Sequence, residues 1–152
     1  MYGPASMAFL HHLAAFSLVG ALVAEVVLFK LPLTAVLARR IQRADLLFGV
    51  TAAALLVVGL LRVFYFEKGA HYYFANGFFL SKLSLFIVAA LVSIYPTMVF
   101  VAWNKPLKLG QVPAVEPAQM RRVRMCMMLE LTAILGILLC APLMARGFGM
   151  LR

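Results

Sequence analysis

The chain has 152 residues, of which 65% are hydrophobic and only 12% charged, and its formal net charge is +9. Soluble domains average about 45–50% apolar and about 25% charged residues, and chains this short bury only about two thirds of their surface. A mean hydropathy of +1.01 therefore excludes a water-soluble fold. The composition predicts a single integral membrane domain over residues 1–152, with the lipid bilayer as its first partner.

Four apolar stretches are long enough to cross a bilayer, which requires about 20 predominantly apolar residues. None of them shows the period-two alternation of a membrane β-barrel. Because the backbone must satisfy its own hydrogen bonds in lipid, the stretches are expected to be helices. The sequence thus predicts an all-α, multi-pass four-helix bundle. The predicted spans are residues 7–29, 46–66, 76–103 and 123–145.

Lysine and arginine are concentrated between the first and second spans and between the third and fourth. The segment before His11 has neither residue, and the second loop has only Lys68, next to Glu67. Because basic loops stay in the cytoplasm, we expect both termini on the outer, periplasmic side. Topology and contact with anionic lipids account for the net charge, so no nucleic-acid partner is expected. The residues of the two basic loops are Lys30, Arg39, Arg40, Arg43, Lys105, Lys108, Arg121, Arg122 and Arg124.

Four basic side chains fall at one depth near the predicted outer end. His11, His12, Arg62 and Lys82 lie about 6–9 Å inside their spans at 1.5 Å per residue. Like charges at one level repel unless an anion or a metal centre joins them. Tyrosine and phenylalanine are dense between residues 65 and 79, which suits a flat ring system. The pattern indicates a site for an anion or a metal.

Simpler interpretations of the same residues stay open. Arg62 and Lys82 could extend to the outer headgroups without any ligand, and the aromatic residues could form an interfacial belt. His11 and His12 point about 100° apart on a helix, and Glu25 lies about 40° from His11. If Glu25 faces the bundle, His11 shares that face, which favours His11 without settling the choice.

Two carboxylates, Glu25 and Glu130, fall in the predicted inner half of the bundle. They could pair with Arg43 or Arg124 and join the helices as structural ion pairs. Alternatively they could form a proton relay, because acidic residues within membrane spans often carry protons.

Nearly the whole chain resembles a bacterial family of predicted membrane proteins of unknown function (DUF2214). The resemblance lies in HHLAAF at residues 11–16 with AE at 24–25, in YYFANGFFLSK at 72–82, and in SIYPT at 93–97. A remoter similarity connects FLSKLSL, at residues 79–85, with the HemJ-type protoporphyrinogen oxidases. Those proteins share a histidine near the start of the first helix and a lysine at about this separation. The first resemblance implies a multi-pass protein of the bacterial cytoplasmic membrane.

The HemJ similarity implies a cofactor and roles for several residues. His11 or His12 would be an axial haem ligand or a porphyrin contact, and Lys82 the other essential group. The assignment gives catalytic roles to Lys82 and His12, and metal-ligating roles to His11, His12 and Lys82. Arg62 has no counterpart there, but a guanidinium suits a haem propionate.

The leading hypothesis is therefore a membrane redox protein that binds haem b or a porphyrin. It would oxidise a porphyrinogen or pass electrons to quinone. One alternative is a proton-coupled carrier of an organic anion, with the outer basic residues as its binding site. A second is a non-catalytic subunit of a larger membrane complex. Self-association into a homo-oligomer is a further expectation.

Overall fold

The computed structural model describes residues 3–151, and four long helices account for most of them. Each is long and apolar enough to cross a membrane, which confirms the predicted all-α class with four spans. Two short helices lie in the connections. The helices are α1 (Gly3–Leu28), α2 (Ala35–Leu61), α3 (Ala70–Phe74), α4 (Gly77–Ala102), α5 (Asn104–Lys108) and α6 (Pro117–Ala145). We call the end that holds the start of α1 and the start of α4 the outer end, after the predicted orientation.

Three helices begin earlier than their apolar stretches predict, α1 by four residues, α6 by six and α2 by eleven. α2 starts at Ala35, because the Thr34 side chain accepts a 3.1 Å hydrogen bond from the Leu37 amide and caps the first turn. α6 starts at Pro117, where a proline suits the first helical position. The basic segments at residues 38–45 and 121–122 are therefore helical, and the prediction that they form loops is wrong.

The helices associate mainly as two pairs, α1 along α2 and α4 along α6. A cluster of buried side chains joins the pairs at the inner end, where the Phe100 and Trp103 rings lie 4.9 Å apart. A second cluster, which includes Leu22, Phe48 and Ile134, lies nearer the middle of the bundle. Large apolar side chains also cover the outward faces, for example Phe16, which is 75% exposed. A surface this apolar is suited to lipid.

At the outer end, α2 does not stop as a regular helix. Its last turn, Arg62–Phe66, is a π-helix, in which each amide bonds five residues back instead of four. A π-turn widens the helix locally and changes which residues share a face.

The last described residues return to the outer end and bond to the start of α4. Gly77 N donates to Gly149 O at 2.8 Å, and Leu151 N donates to Ala75 O at 2.8 Å. Asn76 is fully buried between the two segments. Its Oδ1 accepts from the Phe78 and Phe79 amides. We call residues 146–151 the C-terminal tail.

Candidate functional site

A cavity of about 140 Å³ lies between the helices near the outer end. Three of the four basic residues predicted to share a level line it: His11 from α1, Arg62 from the π-turn and Lys82 from α4. The rest of the wall is mostly apolar. We call this cavity the outer pocket. Its lining residues are His11, Leu55, Leu56, Gly59, Leu60, Arg62, Val63, Tyr73, Phe79, Lys82, Leu83, Phe86, Ile137 and Met144.

The two adjacent histidines have different surroundings. The His11 ring is half-buried against Gly59, where a Cβ atom would lie 3.4 Å from its Cε1. Its Nδ1 is buried and has no hydrogen-bond partner among residues 3–151. The His12 ring is exposed, and its Nδ1 lies 2.7 Å from the Ala8 carbonyl of its own helix. Only His11 can contact a molecule in the outer pocket; His12 does not join the group.

Arg62 already has one carboxylate partner. Its Nη2 donates to Glu67 Oε1 at 2.5 Å, and the two side chains are 22% and 29% exposed. Tyr73 donates its hydroxyl to the other Glu67 oxygen at 3.5 Å. Arg62 Nε is buried and makes no hydrogen bond within the described part of the chain. The Nε–H of the guanidinium therefore stays available as a hydrogen-bond donor.

Lys82 provides the positive charge that Glu67 does not balance. Its ammonium lies 5.7 Å from the centroid of the Phe79 ring, within the range of a cation–π contact. Among residues 3–151 it forms no ion pair within 4.0 Å. Because Glu67 offsets Arg62, the outer pocket carries about one net positive charge before the state of His11 is considered.

Tyr73 adds a neutral hydroxyl at the rim. Burial, and then the charge of Glu67, raises the pKa of this phenol above its ordinary value. The group therefore stays protonated at neutral pH and can donate a hydrogen bond.

The aromatic residues predicted to surround the site divide into two groups. Tyr73 and Phe79 line the outer pocket, together with Phe86 from farther along α4. Tyr65 and Phe74 are exposed, at 77% and 44%, as expected for an interfacial belt. The aromatic segment is therefore divided between the wall of the outer pocket and the exposed surface.

The inner carboxylates lie apart from the outer pocket and include one that sequence analysis missed. Glu25 and Glu130 are each only 2% exposed, and Asp45 is 7% exposed. Asp45 Oδ1 accepts a 2.7 Å hydrogen bond from the Thr97 hydroxyl. Arg43 and Arg124, the expected partners, are exposed, and neither glutamate forms an ion pair with a described residue. Asp45 was missed because residues 38–45 were assigned to a loop.

The donor set and the volume of the outer pocket suit a small ligand better than a porphyrin. A cavity of about 150 Å³ accommodates benzene, whereas a porphyrin, with its four pyrrole rings, is larger than this cavity. Within residues 3–151 there is no group of three or more His, Cys, Asp or Glu side chains that could hold a metal ion. His11 is the one imidazole in the pocket wall.

The fold defines a helical membrane protein with a basic pocket near one end of its bundle. The chain belongs to the family described as "Predicted membrane protein (DUF2214)", whose profile matches residues 4–149. No curated protein and no solved structure matches the chain significantly. The family is thus shown, whereas the similarity to the HemJ-type oxidases gains no support from these comparisons and stays a prediction.

Proposed function

We propose that this protein binds a small organic anion, about the size of one aromatic ring, in the outer pocket and carries it across the membrane with protons. The observation that carries the proposal is the convergence of His11, Arg62 and Lys82, from three spans, on one apolar cavity. Glu67 offsets only one of these groups. A desolvated cation without a partner attracts an anion strongly, because little water competes for either charge.

Each part of the pocket has a separate role in this proposal. Lys82 supplies the ion pair to a ligand carboxylate, and the free Nε–H of Arg62 offers a hydrogen bond. The apolar wall, which includes Phe79 and Phe86, contacts the ring of the ligand. An aromatic monocarboxylate such as benzoate has this combination of one charge and one ring.

The proposal is tested with benzoate as the probe. Uptake of labelled benzoate into proteoliposomes is measured for the wild type, for Lys82→Met and for Arg62→Ala. Removing Lys82 should weaken binding about tenfold to a hundredfold, because hydrogen bonds to charged groups contribute about 1.5–3 kcal/mol. Lys68→Met is the matched control, since Lys68 is exposed and lies outside the pocket.

The expected result is saturable uptake that a proton gradient increases and that both pocket variants reduce. Uptake that is insensitive to Arg62→Ala and Lys82→Met, or that Lys68→Met reduces equally, would count against the carrier.

A redox protein that binds haem b or a porphyrin is the second candidate. It is favoured by the buried Nδ1 of His11, which has no partner within the described residues and could serve as an axial ligand. His11 would hold the iron, Arg62 would pair with a propionate and Lys82 would be the second ligand. Haem would then supply electron transfer to quinone or porphyrinogen oxidation. The size of the cavity argues against this candidate.

The haem candidate is tested by absorption spectroscopy. The protein is purified in detergent from cells supplied with a haem precursor, and the Soret region is recorded. A Soret band that His11→Ala abolishes and His12→Ala leaves intact would support haem, because only His11 faces the pocket. The absence of a Soret band would reject it.

A further inference from the structure

Three carboxyl groups from three different helices come together in the inner half of the bundle. Glu25 belongs to α1, Asp45 to α2 and Glu130 to α6. Each is buried, and the three are close enough for their charges to act on one another. We call this group the carboxyl cluster. It is distinct from the outer pocket, because none of its members lines that cavity.

The polar surroundings of the cluster do not balance three negative charges. Thr97 from α4 donates one hydrogen bond to Asp45, and the Cys126 thiol lies within electrostatic reach of Glu130. Arg43, on α2, is exposed, and no described lysine or arginine forms an ion pair with any of the three carboxyls. Three ionised carboxylates in such a place would repel one another and would lack the water that stabilises charge.

One oxygen of the cluster has no partner at all within residues 3–151. Glu130 is 2% exposed, and its Oε1 is buried without a hydrogen bond. A bare carboxylate oxygen in that position is costly, since it has given up water and gained no donor. A proton on Glu130 lowers this cost, because a neutral carboxyl group is far less costly to bury than a carboxylate.

A second cavity adjoins the cluster from the inner end. It measures about 170 Å³ and lies between α1 and α6. Val26 and Met127 in its wall are one and three residues from Glu25 and Glu130, and Lys30 and Arg124 contribute their cations. We call it the inner pocket. Neither glutamate lines it, but both lie within one helical turn of its wall, which makes it the candidate route for water from the basic end.

From this arrangement we propose that the carboxyl cluster is a proton-binding site, in which Glu25, Asp45 and Glu130 share at least one proton at neutral pH and exchange it through the inner pocket. The ligand is a proton and not a metal ion, because the described chain contains no metal-holding group of acidic, histidine or cysteine side chains. The proposal goes beyond the anion site and requires no ligand in the outer pocket.

The test is infrared spectroscopy of the full chain in lipid, without any added anion. A protonated carboxyl group has a C=O stretching band that is separate from that of a carboxylate and shifts in D₂O. We expect this band at neutral pH in the wild type, and a smaller band in Glu25→Gln and Glu130→Gln. Glu116→Gln is the matched control, because Glu116 is exposed at the start of α6 and should leave the band unchanged.

The outcomes separate the proton site from the proposed carrier. Absence of the protonated-carboxyl band at neutral pH in folded protein would overturn the proton site, whatever the uptake assay shows. A band that Glu116→Gln removes as effectively as Glu130→Gln would overturn it too. Conversely, a band that depends on Glu25 and Glu130, in a protein that takes up no benzoate, would support the site and reject the carrier.

A second variant tests the exchange path and does not depend on removing a carboxyl. Met127→Trp should fill part of the inner pocket and slow the shift of the band in D₂O several-fold. Met125→Trp, at an exposed position on the same helix, is its control. Equal exchange rates in both variants would contradict the route through the inner pocket.

Discussion

Glu67 sets the charge of the outer pocket, although it is an exposed residue in a connection. Its carboxylate holds Arg62 at 2.5 Å and accepts from Tyr73, so it competes with any anion for the same donors. Sequence analysis placed Arg62, Lys82 and a histidine at one level, because depth follows from counting residues along a helix. It did not predict the ion pair, because residues five apart do not share a face of a regular α-helix.

Replacing Glu67 should therefore strengthen anion binding. In Glu67→Gln the side chain keeps its size but loses its charge, which frees the Arg62 guanidinium. Partly exposed ion pairs contribute roughly 0.2–1 kcal/mol, so the affinity for benzoate should rise by up to about fivefold in a titration of the purified protein. Glu116→Gln removes a charge far from the pocket and should have no effect; an unchanged or lower affinity in Glu67→Gln would contradict the competition.

At the scale of elements, the start of α4 is held by a residue that does two things at once. Asn76 caps the helix through Oδ1, and its Nδ2 donates to the Phe148 carbonyl in the C-terminal tail at 2.9 Å. Asn76 is the first residue of the predicted third span, but sequence analysis did not identify it as a cap, and a tail about seventy residues later could not be predicted to meet it. Sequence analysis also missed the early start of α2, because this helix extends beyond its apolar stretch into the basic segment before it.

Removing the Asn76 side chain should destabilise the protein by about 1–3 kcal/mol, since the cap and a buried hydrogen bond are lost together. Thermal unfolding of Asn76→Ala in detergent, followed by circular dichroism, measures the loss. Asn104→Ala is a suitable comparison, because Asn104 is exposed and its side chain accepts one bond from Gln42. Similar melting temperatures for the two variants would indicate that Asn76 does not fasten the tail.

Alanine substitutions at two glycines of the C-terminal tail distinguish the effect of backbone strain from that of a steric clash. Gly147 and Gly149 both have positive φ, at 80° and 82°, so alanine is strained equally at each. A Cβ at Gly149 would lie 2.5 Å from the Phe78 ring, whereas a Cβ at Gly147 would meet no described residue within 4 Å. Gly149→Ala should therefore lower the melting temperature more than Gly147→Ala, and equal losses would show that the contact with Phe78 has little effect on stability.

At the scale of the whole molecule, the exposed apolar surface and the position of the basic residues determine how the bundle sits in a membrane. The number and approximate position of the spans followed from the apolar stretches alone, because a bilayer imposes a minimum apolar length. The pairing of α1 with α2 and of α4 with α6 could not be read from hydropathy, since lipid and protein interior are equally apolar. Likewise, Asp45 became part of a buried cluster only through the packing of α2.

The basic residues predict that both termini and the α2–α4 connection lie outside the cytoplasm. Single cysteines test this in a Cys126→Ser/Cys140→Ser background. An impermeant maleimide should label Lys68→Cys in intact cells and should label Val112→Cys only after permeabilisation, because Val112 is exposed in the connection before α6. The opposite pattern would invert the orientation.

The π-turn at Arg62–Phe66 determines how many residues separate Arg62 from Glu67 in their contact. A bond to the fifth residue back accommodates one more residue than a regular turn, and Arg62 and Glu67 are five residues apart. Deleting the exposed Phe64 would restore regular helical spacing, and Glu67 would then follow Arg62 by four residues, a spacing at which side chains share a helix face. A relative that lacks this single residue would therefore keep the ion pair and the net charge of the pocket, so the family can gain or lose one residue here by insertion or deletion without a change in ligand preference.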